Sequence, residues 1–288
     1  MKPPSFDYVR PETLDEALGV LASAENCKLL AGGQSLMAML NLRYVFPDLL
    51  VDINRIPELS GISFSHDQVE IGAMTRQRTI ERSPVVREHL PILAHALHYV
   101  GHRQTRNRGT IGGSICHLDP SAELPTIALL YDATVDVASR HGRRRVGMRE
   151  FIKGYMTVDL APEDLLVRVD LKPWGPAHRW AFLEHSRRLG DFAIASAACL
   201  AERGMDGRVT RIALAVGGLS ETPIRLDASE ALLLGSEGEA DLIERASALV
   251  REIPAASDIH ADADYRAQVA CTLVRRALQQ TLGAKAPS

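Results

Sequence analysis

The sequence predicts an α+β protein rather than a doubly wound parallel sheet. Two observations carry this: short strands and helices mix in the first half, and three consecutive strands followed by three helices close the chain. With 288 residues, 46% of them hydrophobic, there is material for one large domain or two ordinary ones, each with a buried core.

The elements follow in order. In PETLDEALGVLASA, Thr13 and Glu16 have capping-box spacing, and Leu14, Ala17, Leu18 and Leu21 share one helical face. KLLAGGQSLMAMLNLR reads as a short apolar strand, a glycine turn and a helix beginning near Ser35, and LLVDI is another buried strand. Val69, Ile71 and Ala73 alternate with polar or small neighbours, which predicts a strand leading into the polar segment TRQRTIERS. Helical character is expected from Val86 to Val100. AELPTIALLYDA is apolar and compact, TVDVAS alternates, and EDLLVRVDL is a strand bounded by Pro162 and Pro173. KPWGPAH is the expected linker, and RHGRRR, Arg140–Arg145, reads as an exposed hairpin turn. WAFLEHS, AIASAACLAE and VTRIALAVGGL are the three late strands, the last two joined by RGMDGR. Of the closing helices the last is clearest, with Val269, Leu273, Ala277 and Leu278 on one face.

Composition excludes several functions. The formal charge of -3 balances 33 basic against 36 acidic residues, so no global field recruits nucleic acid or an anionic membrane. Cys27, Cys116, Cys199 and Cys271 are isolated, without the Cys-x-x-Cys pair that nucleates zinc or iron–sulfur sites. No run of about 18 apolar residues appears and the N-terminus has no apolar stretch of signal length, so the expectation is a soluble protein of a reducing, cytoplasmic compartment.

The chemistry concentrates at two glycine pairs. AGGQS presents Gly32 and Gly33 after a strand, and TIGGS presents Gly112 and Gly113, with a serine close behind each pair. A glycine lets a bulky anion approach backbone N–H groups, and successive amides in a turn form an anion-binding concavity. Each pair alone is first read as a tight turn, since neither has Walker A or Gly-x-Gly-x-x-Gly spacing. Asp119 and Glu123 suit hydroxyl or ring N–H donors, or form a solvated acidic rim. His95, His98 and His102 have helical spacing and read as surface or interface residues rather than metal ligands. Arg103, Arg106 and Arg108 precede the second pair and are expected at the cofactor or an interface, whereas Phe192 reads as a core aromatic.

Two long stretches, LLAGGQSLMAMLNLR (Leu29–Arg43) and RNRGTIGGSICHLDPSAELP (Arg106–Pro125), resemble the FAD-contacting signatures of the medium, flavin-binding subunit of molybdenum hydroxylases. That family includes aerobic carbon monoxide dehydrogenase and the flavin portion of xanthine dehydrogenase. FLEHSRRLGDFAIASAA and AVGGLSETPIR are similar to its C-terminal domain, so the resemblance spans nearly the whole chain.

The resemblance implies an FAD-binding fold of the vanillyl-alcohol-oxidase (PCMH) type over residues 1–175, with subdomains of about 1–56 and 57–175. Residues 176–288 would form an α+β domain with a three-stranded antiparallel sheet and helices. It implies non-covalent FAD, its diphosphate on the backbone of Ala31, Gly32, Gly33, Gln34 and Ser35 and, from the second loop, on Thr110, Gly112, Gly113 and Ser114. Asp119 and Glu123 match positions near the ribityl or adenosine portion, Asp191 one near the flavin ring, and Leu30, Leu36, His117 and Leu166 complete the set. The molybdenum cofactor and two [2Fe-2S] clusters would sit on a large molybdopterin subunit and a small iron–sulfur subunit, in a dimer of heterotrimers whose partners alone would bring it to a membrane. A self-sufficient flavin oxidase or reductase and a non-catalytic assembly module are the competing functions. Valine at Gly33 or Gly113 is expected to abolish flavin retention with the fold largely kept, and Asp191→Ala to shift flavin potential or affinity modestly.

Overall fold

The structure, a computed structural model, describes residues 2–283; Met1 and residues 284–288 of the expected C-terminal domain lie outside the described residues. The chain opens with β1 (Asp7–Val9), α1 (Leu14–Ser23), β2 (Cys27–Leu30), α2 (Leu36–Asn41) and β3 (Leu49–Asp52). The three strands form a parallel sheet in the order β1-β3-β2, so the glycine turn after β2 leaves the carboxyl end of a strand and enters α2. Thr13 caps α1 by accepting from the Glu16 amide at 3.2 Å, but Glu16 closes its half of the box on the Glu12 amide.

A second sheet follows. It takes β4 (Ile62–Ser65), β5 (Gln68–Gly72), β6 (Thr134–Ser139), β7 (Gly142–Gly147) and, after the small hairpin β8 (Ile152–Gly154) and β9 (Thr157–Val158), β10 (Leu165–Leu171). Its order is β4-β5-β10-β6-β7, antiparallel throughout. Between β5 and β6 the chain lays down α3 (Gln77–Arg82), α4 (Pro84–His89), α5 (Pro91–Ala96), α6 (Arg103–Arg108), α7 (Ile111–His117) and α8 (Glu123–Leu130), and α9 (Met148–Phe151) follows β7.

The helix expected over Val86–Val100 is thus two helices. Pro91 brings no N–H to the ladder and drives Leu90 out of the helical region, to φ -134 and ψ 56. Arg140 and His141 form the expected turn, but Arg143–Arg145 belong to β7, where Arg144 pairs with Asp159 and Asp164 and Arg145 with Asp136 and Asp170.

The last third contains β11 (Arg179–Ser186), β12 (Ala193–Arg203), β13 (Val209–Gly217), β14 (Ile224–Arg225), α10 (Asp227–Leu233), α11 (Ala240–Ala248) and α12 (Ala263–Leu282). The expected three-stranded sheet gains a fourth strand, because Ile224–Arg225 returns along β13. Its register is short, two pairs, and too brief for alternation to betray it in sequence.

The sheet is buried on both faces. On one side Ala195, Ala197, Cys199, Leu214 and Val216 pack with Ala270, Val274, Ala277 and Leu278 of α12. On the other, Phe182, Ala198, Leu200, Ala213 and Ala215 join the core of the preceding sheet and helices. Arg225 pins this seam, donating to the Leu129 and Leu130 carbonyls at 3.2 Å and to Asp132 at 2.8 Å while its other edge meets Glu230. Replacing Arg225 with methionine leaves Glu230 buried without its cation, so the unfolding free energy should fall by roughly 3 kcal/mol in urea titrations. A loss under about 1 kcal/mol would show that the seam is held by apolar packing alone.

Candidate functional site

The two glycine pairs meet in space and are not equivalent. At the first, β2 ends at Leu30 and the turn places Gly33 at φ +73, a conformation that strains any side-chain-bearing residue. The amides of Gly32, Gly33, Gln34, Ser35 and Leu36 donate to no acceptor among the described residues, and the first helical bond runs from the Met37 amide to the Gly33 carbonyl at 3.2 Å. Five successive free donors on a surface-accessible turn are what a diphosphate needs. The Gln34 side chain folds back to its own loop, donating to the Gly32 carbonyl at 3.3 Å.

At the second pair the amides are already used. Thr110 caps α7, its hydroxyl accepting from the Gly113 amide at 3.1 Å. The Ile111 amide reaches Thr75, that of Gly112 reaches Ala73 at 2.8 Å, and that of Ser114 reaches Thr110 at 3.2 Å. The amides of Gly112, Gly113 and Ser114, expected to meet a diphosphate, are thus bonded within the protein. What remains to donate is the Thr110 hydroxyl hydrogen and the Ser114 hydroxyl, which makes no hydrogen bond among the described residues.

The glycines themselves divide between packing and access. A Cβ on Gly32 would strike the Arg108 carbonyl and come within 2.9 Å of the Gly109 Cα, and one on Gly112 would lie 2.7 Å from the Ala73 Cβ. Both positions are set by one piece of backbone crossing another. Gly33 is required by its positive φ, so valine there strains the turn itself and is no clean test of ligand approach. Only at Gly113 is the obstacle a movable side chain, the Thr110 hydroxyl at 2.8 Å, with Ala31 Cβ at 3.8 Å beyond it.

A polar clamp unrecognised in the sequence holds the two loops together. Asn54, just past β3, donates to the Ala31 carbonyl at 2.9 Å and accepts from Arg76, whose other nitrogen reaches the Arg108 carbonyl. The Asp52 carboxylate accepts from the Asn54 backbone amide at 2.9 Å and from the Tyr8 hydroxyl. Burial, and then the neighbouring Arg108 cation, hold Arg76 below the usual guanidinium range, which marks a site short of negative charge.

Other expected residues fall as follows. Arg106 is buried and committed to Glu81 at 3.1 Å and to the Val100 and Gly101 carbonyls, so it shapes the entry to α6 and is not free for a cofactor; Arg103 and Arg108 are exposed. His98 approaches Glu81 at 3.7 Å, and His95 packs against Trp180 with ring centroids 5.3 Å apart. Among the described residues no group of three or more His, Cys, Asp or Glu is arranged to hold a metal ion. Leu30 and Leu36 flank the first loop, half-buried. Leu166 lies in the core at 4% exposure. His117 ends α7, half-buried, its pKa lowered by burial. The Cys116 thiol is pushed up to about 12 by burial, which leaves it inert.

Asp119 accepts from the Ser121 amide at 2.8 Å in the loop before α8. Glu123 is not on an acidic rim: it is 7% exposed, and burial followed by the charge of Glu184 pushes its carboxyl up to about 8. Asp191 sits in the exposed turn after β11, where its own carboxylate accepts from the Phe192 amide and pairs with Arg187 at 3.2 Å. Phe192, expected in the core, is 67% exposed. This turn lies against the start of α6, since a Cβ on Gly190 would be 2.9 Å from the Gly101 carbonyl.

No helix of the described residues is long and apolar enough to cross a membrane. Residues 4–174 match the family described as the FAD binding domain in molybdopterin dehydrogenase, and residues 180–281 match the CO dehydrogenase flavoprotein C-terminal domain. The chain is 39% identical over 290 residues to subunit alpha of the 6-hydroxypseudooxynicotine dehydrogenase complex of Paenarthrobacter nicotinovorans, covering 100% of this chain and 98% of that one. It superposes with TM-score 0.95 and 36% identity on a chain of carbon monoxide dehydrogenase from Hydrogenophaga pseudoflava, covering 98% of each. A chain of quinoline 2-oxidoreductase from Pseudomonas putida 86 gives TM-score 0.93 and 35% identity, again covering 98% of each. The chain belongs to the FAD-binding family of the molybdopterin dehydrogenases, with the CO dehydrogenase flavoprotein domain as its C-terminal part.

Proposed function

We propose that this chain is the FAD-binding subunit of a molybdenum hydroxylase, through which electrons from partner iron–sulfur clusters pass to an external acceptor. The observation that carries the reading is the run of five free amides from Gly32 to Leu36, on a loop that crosses the Arg108–Gly109 segment leading into the second glycine pair. A bound FAD supplies electron acceptance and release; the protein's part is to seat it, shield it from water on one side and set its hydrogen bonds. The first loop holds the diphosphate by backbone donors, and the second contributes hydroxyls. Ala31, Gly32, Gly33, Gln34 and Ser35 form that cradle, with Leu30 and Leu36 at its flanks, while His117, Asp119 and Glu123 extend it along α7 toward α8. Asp191 and Phe192 stand at the far end, on the turn that touches α6, where a flavin ring would emerge.

The division of labour follows from the same chain. Residues 1–175, in subdomains of about 1–56 and 57–175, carry the cofactor, and residues from 176 onward form the domain that covers it. The iron–sulfur clusters belong to a small partner subunit and the molybdopterin to a large one, the whole assembling as a dimer of heterotrimers in the cytoplasm. Substrate is then chosen on the large subunit.

Purified chain should be yellow and release about one equivalent of FAD in acid, without reduction by aldehyde, N-heterocycle or carbon monoxide in the absence of partners. Substrate-driven bleaching of the isolated chain would favour a self-sufficient oxidase, and a folded chain that takes up no FAD would favour an assembly module. Gly113→Val displaces the Thr110 hydroxyl, so FAD should bind at least about tenfold more weakly by flavin fluorescence titration. The lost cap should lower stability by only about 1 kcal/mol. Asn54→Leu unlatches both loops and should weaken FAD by a similar factor, with unchanged far-ultraviolet circular dichroism.

A further inference from the structure

Positive charge gathers along one short helix of a chain whose net charge is -3. α6 turns Arg106 inward, buried against Glu81, and leaves Arg103 and Arg108 exposed to solvent. Arg187 and Arg188 are exposed on the turn after β11. The guanidinium groups of Arg103, Arg108 and Arg188 make no hydrogen bond or ion pair among the described residues; Arg108 and Arg188 accept hydrogen bonds only at their carbonyls. Their own segments hold no free acid. Residues 98–110 contain none, the one on α3 is Glu81, buried and shared between Arg78 and Arg106, and Asp191 on the turn pairs with Arg187.

The stripe joins the two ends of the proposed cofactor site. At one end the Arg108 carbonyl meets Gly32 of the first glycine loop. At the other, His102 Nδ1 and the Gly101 carbonyl each lie 2.9 Å from where a Gly190 Cβ would stand, on the turn that carries Asp191 and Phe192. α6 covers roughly 9 Å between them. The excess of positive charge already acts on a neighbour, since burial and then the Arg108 cation lower the Arg76 pKa. FAD does not call on these cations: its diphosphate has the free amides of residues 32–36, and Arg106 is committed to Glu81. Three solvated guanidinium groups on exposed side chains do not fix a ligand in one pose. They raise the local concentration of anions and steer them to the surface below.

We propose that Arg103, Arg108 and Arg188 form a positively charged approach to the flavin edge, and that the external acceptor served there is an anionic small molecule drawn in by their field. This role presupposes FAD seated as proposed above. Electron transfer needs no bond to the acceptor: the fully reduced flavin gives up two electrons and two protons, two one-electron acceptors each take one electron, and the protons pass to water. Sign separates local from global charge. Spread evenly, a net charge of -3 would repel an anion from the chain, and only a patch at the point of transfer reverses this.

The test uses the full-length chain loaded with FAD and reduced to its endpoint with stoichiometric dithionite under argon. It is mixed in a stopped-flow instrument with ferricyanide, a trivalent anion, or hexaammineruthenium(III), a trivalent cation. The rate of flavin reoxidation by ferricyanide should fall at least about tenfold between roughly 20 mM and roughly 500 mM sodium chloride, while the rate with the cation rises or holds. Arg103→Glu with Arg188→Glu should slow ferricyanide at least about fivefold at the lower salt and speed the cation, with FAD affinity unchanged. The same change of charge on the far side of the C-terminal sheet, Arg245→Glu on α11 with Arg276→Glu on α12, should leave both rates within about twofold.

If FAD is bound and the ferricyanide rate is flat or rises with salt, the steering is overturned while the cofactor reading stands. Equal effects of the two double variants would assign the salt dependence to net charge and overturn it as well. The assembled complex, treated the same way, should keep the ferricyanide dependence; its loss there would mean that a partner subunit covers these arginines, and the acceptor assignment falls. A wild-type chain that takes up no FAD defeats the cofactor reading, and the proposal with it.

Discussion

Gly32 lies so close to the Arg108–Gly109 peptide that a single added carbon would run into the Arg108 carbonyl. That contact joins the turn after β2, on the small parallel sheet, to the segment entering α7, which belongs to the second sheet and its helices. Everything that makes the region a receptor depends on it. The turn is held open by Gly33 at positive φ, its carbonyls are held by Asn54, and Arg76 fastens both loops. With its carbonyls engaged and its amides free, the first loop is polarised toward an anion before one arrives, so little reorganisation is needed on binding. The second loop is rigid for the opposite reason: its amides are spent on Thr75, Ala73 and its own cap.

The same economy recurs at the seam with the C-terminal domain. Apolar residues from both sides merge into one core, so the second domain is packed onto the first rather than appended to it. Its fixed points are polar: Arg225 on the α8 carbonyls and the Gly218 amide on the Pro120 carbonyl. These hold α8 against β12 and β13.

Much of the fold was legible because local signals agreed with tertiary ones. α1 and α12 carry both a cap and an apolar face, and β12 and β13 are long apolar runs divided by Gly204–Gly207. α6 was not legible, since RQTRNR has no apolar stripe and is helical through the Glu81–Arg106 pair and its packing on α3. Both glycine pairs were found, yet their division into crossing points and a ligand-facing position was hidden, because Gly32 and Gly113 look alike until the opposing backbone is in place. Asn54 and Arg76 belong to no motif. Phe192, read as a core aromatic, is exposed on a turn, which burial alone decides.

The central claim is that the two loops divide the work, one offering free amides and the other a rigid wall whose amides are already bonded. Amide hydrogen exchange on the full chain, with and without FAD, addresses it most directly. The account predicts fast exchange at residues 32–36 that slows strongly on adding FAD, and slow exchange at residues 111–114 in both states. Unchanged exchange at residues 32–36 in chain saturated with FAD would contradict it.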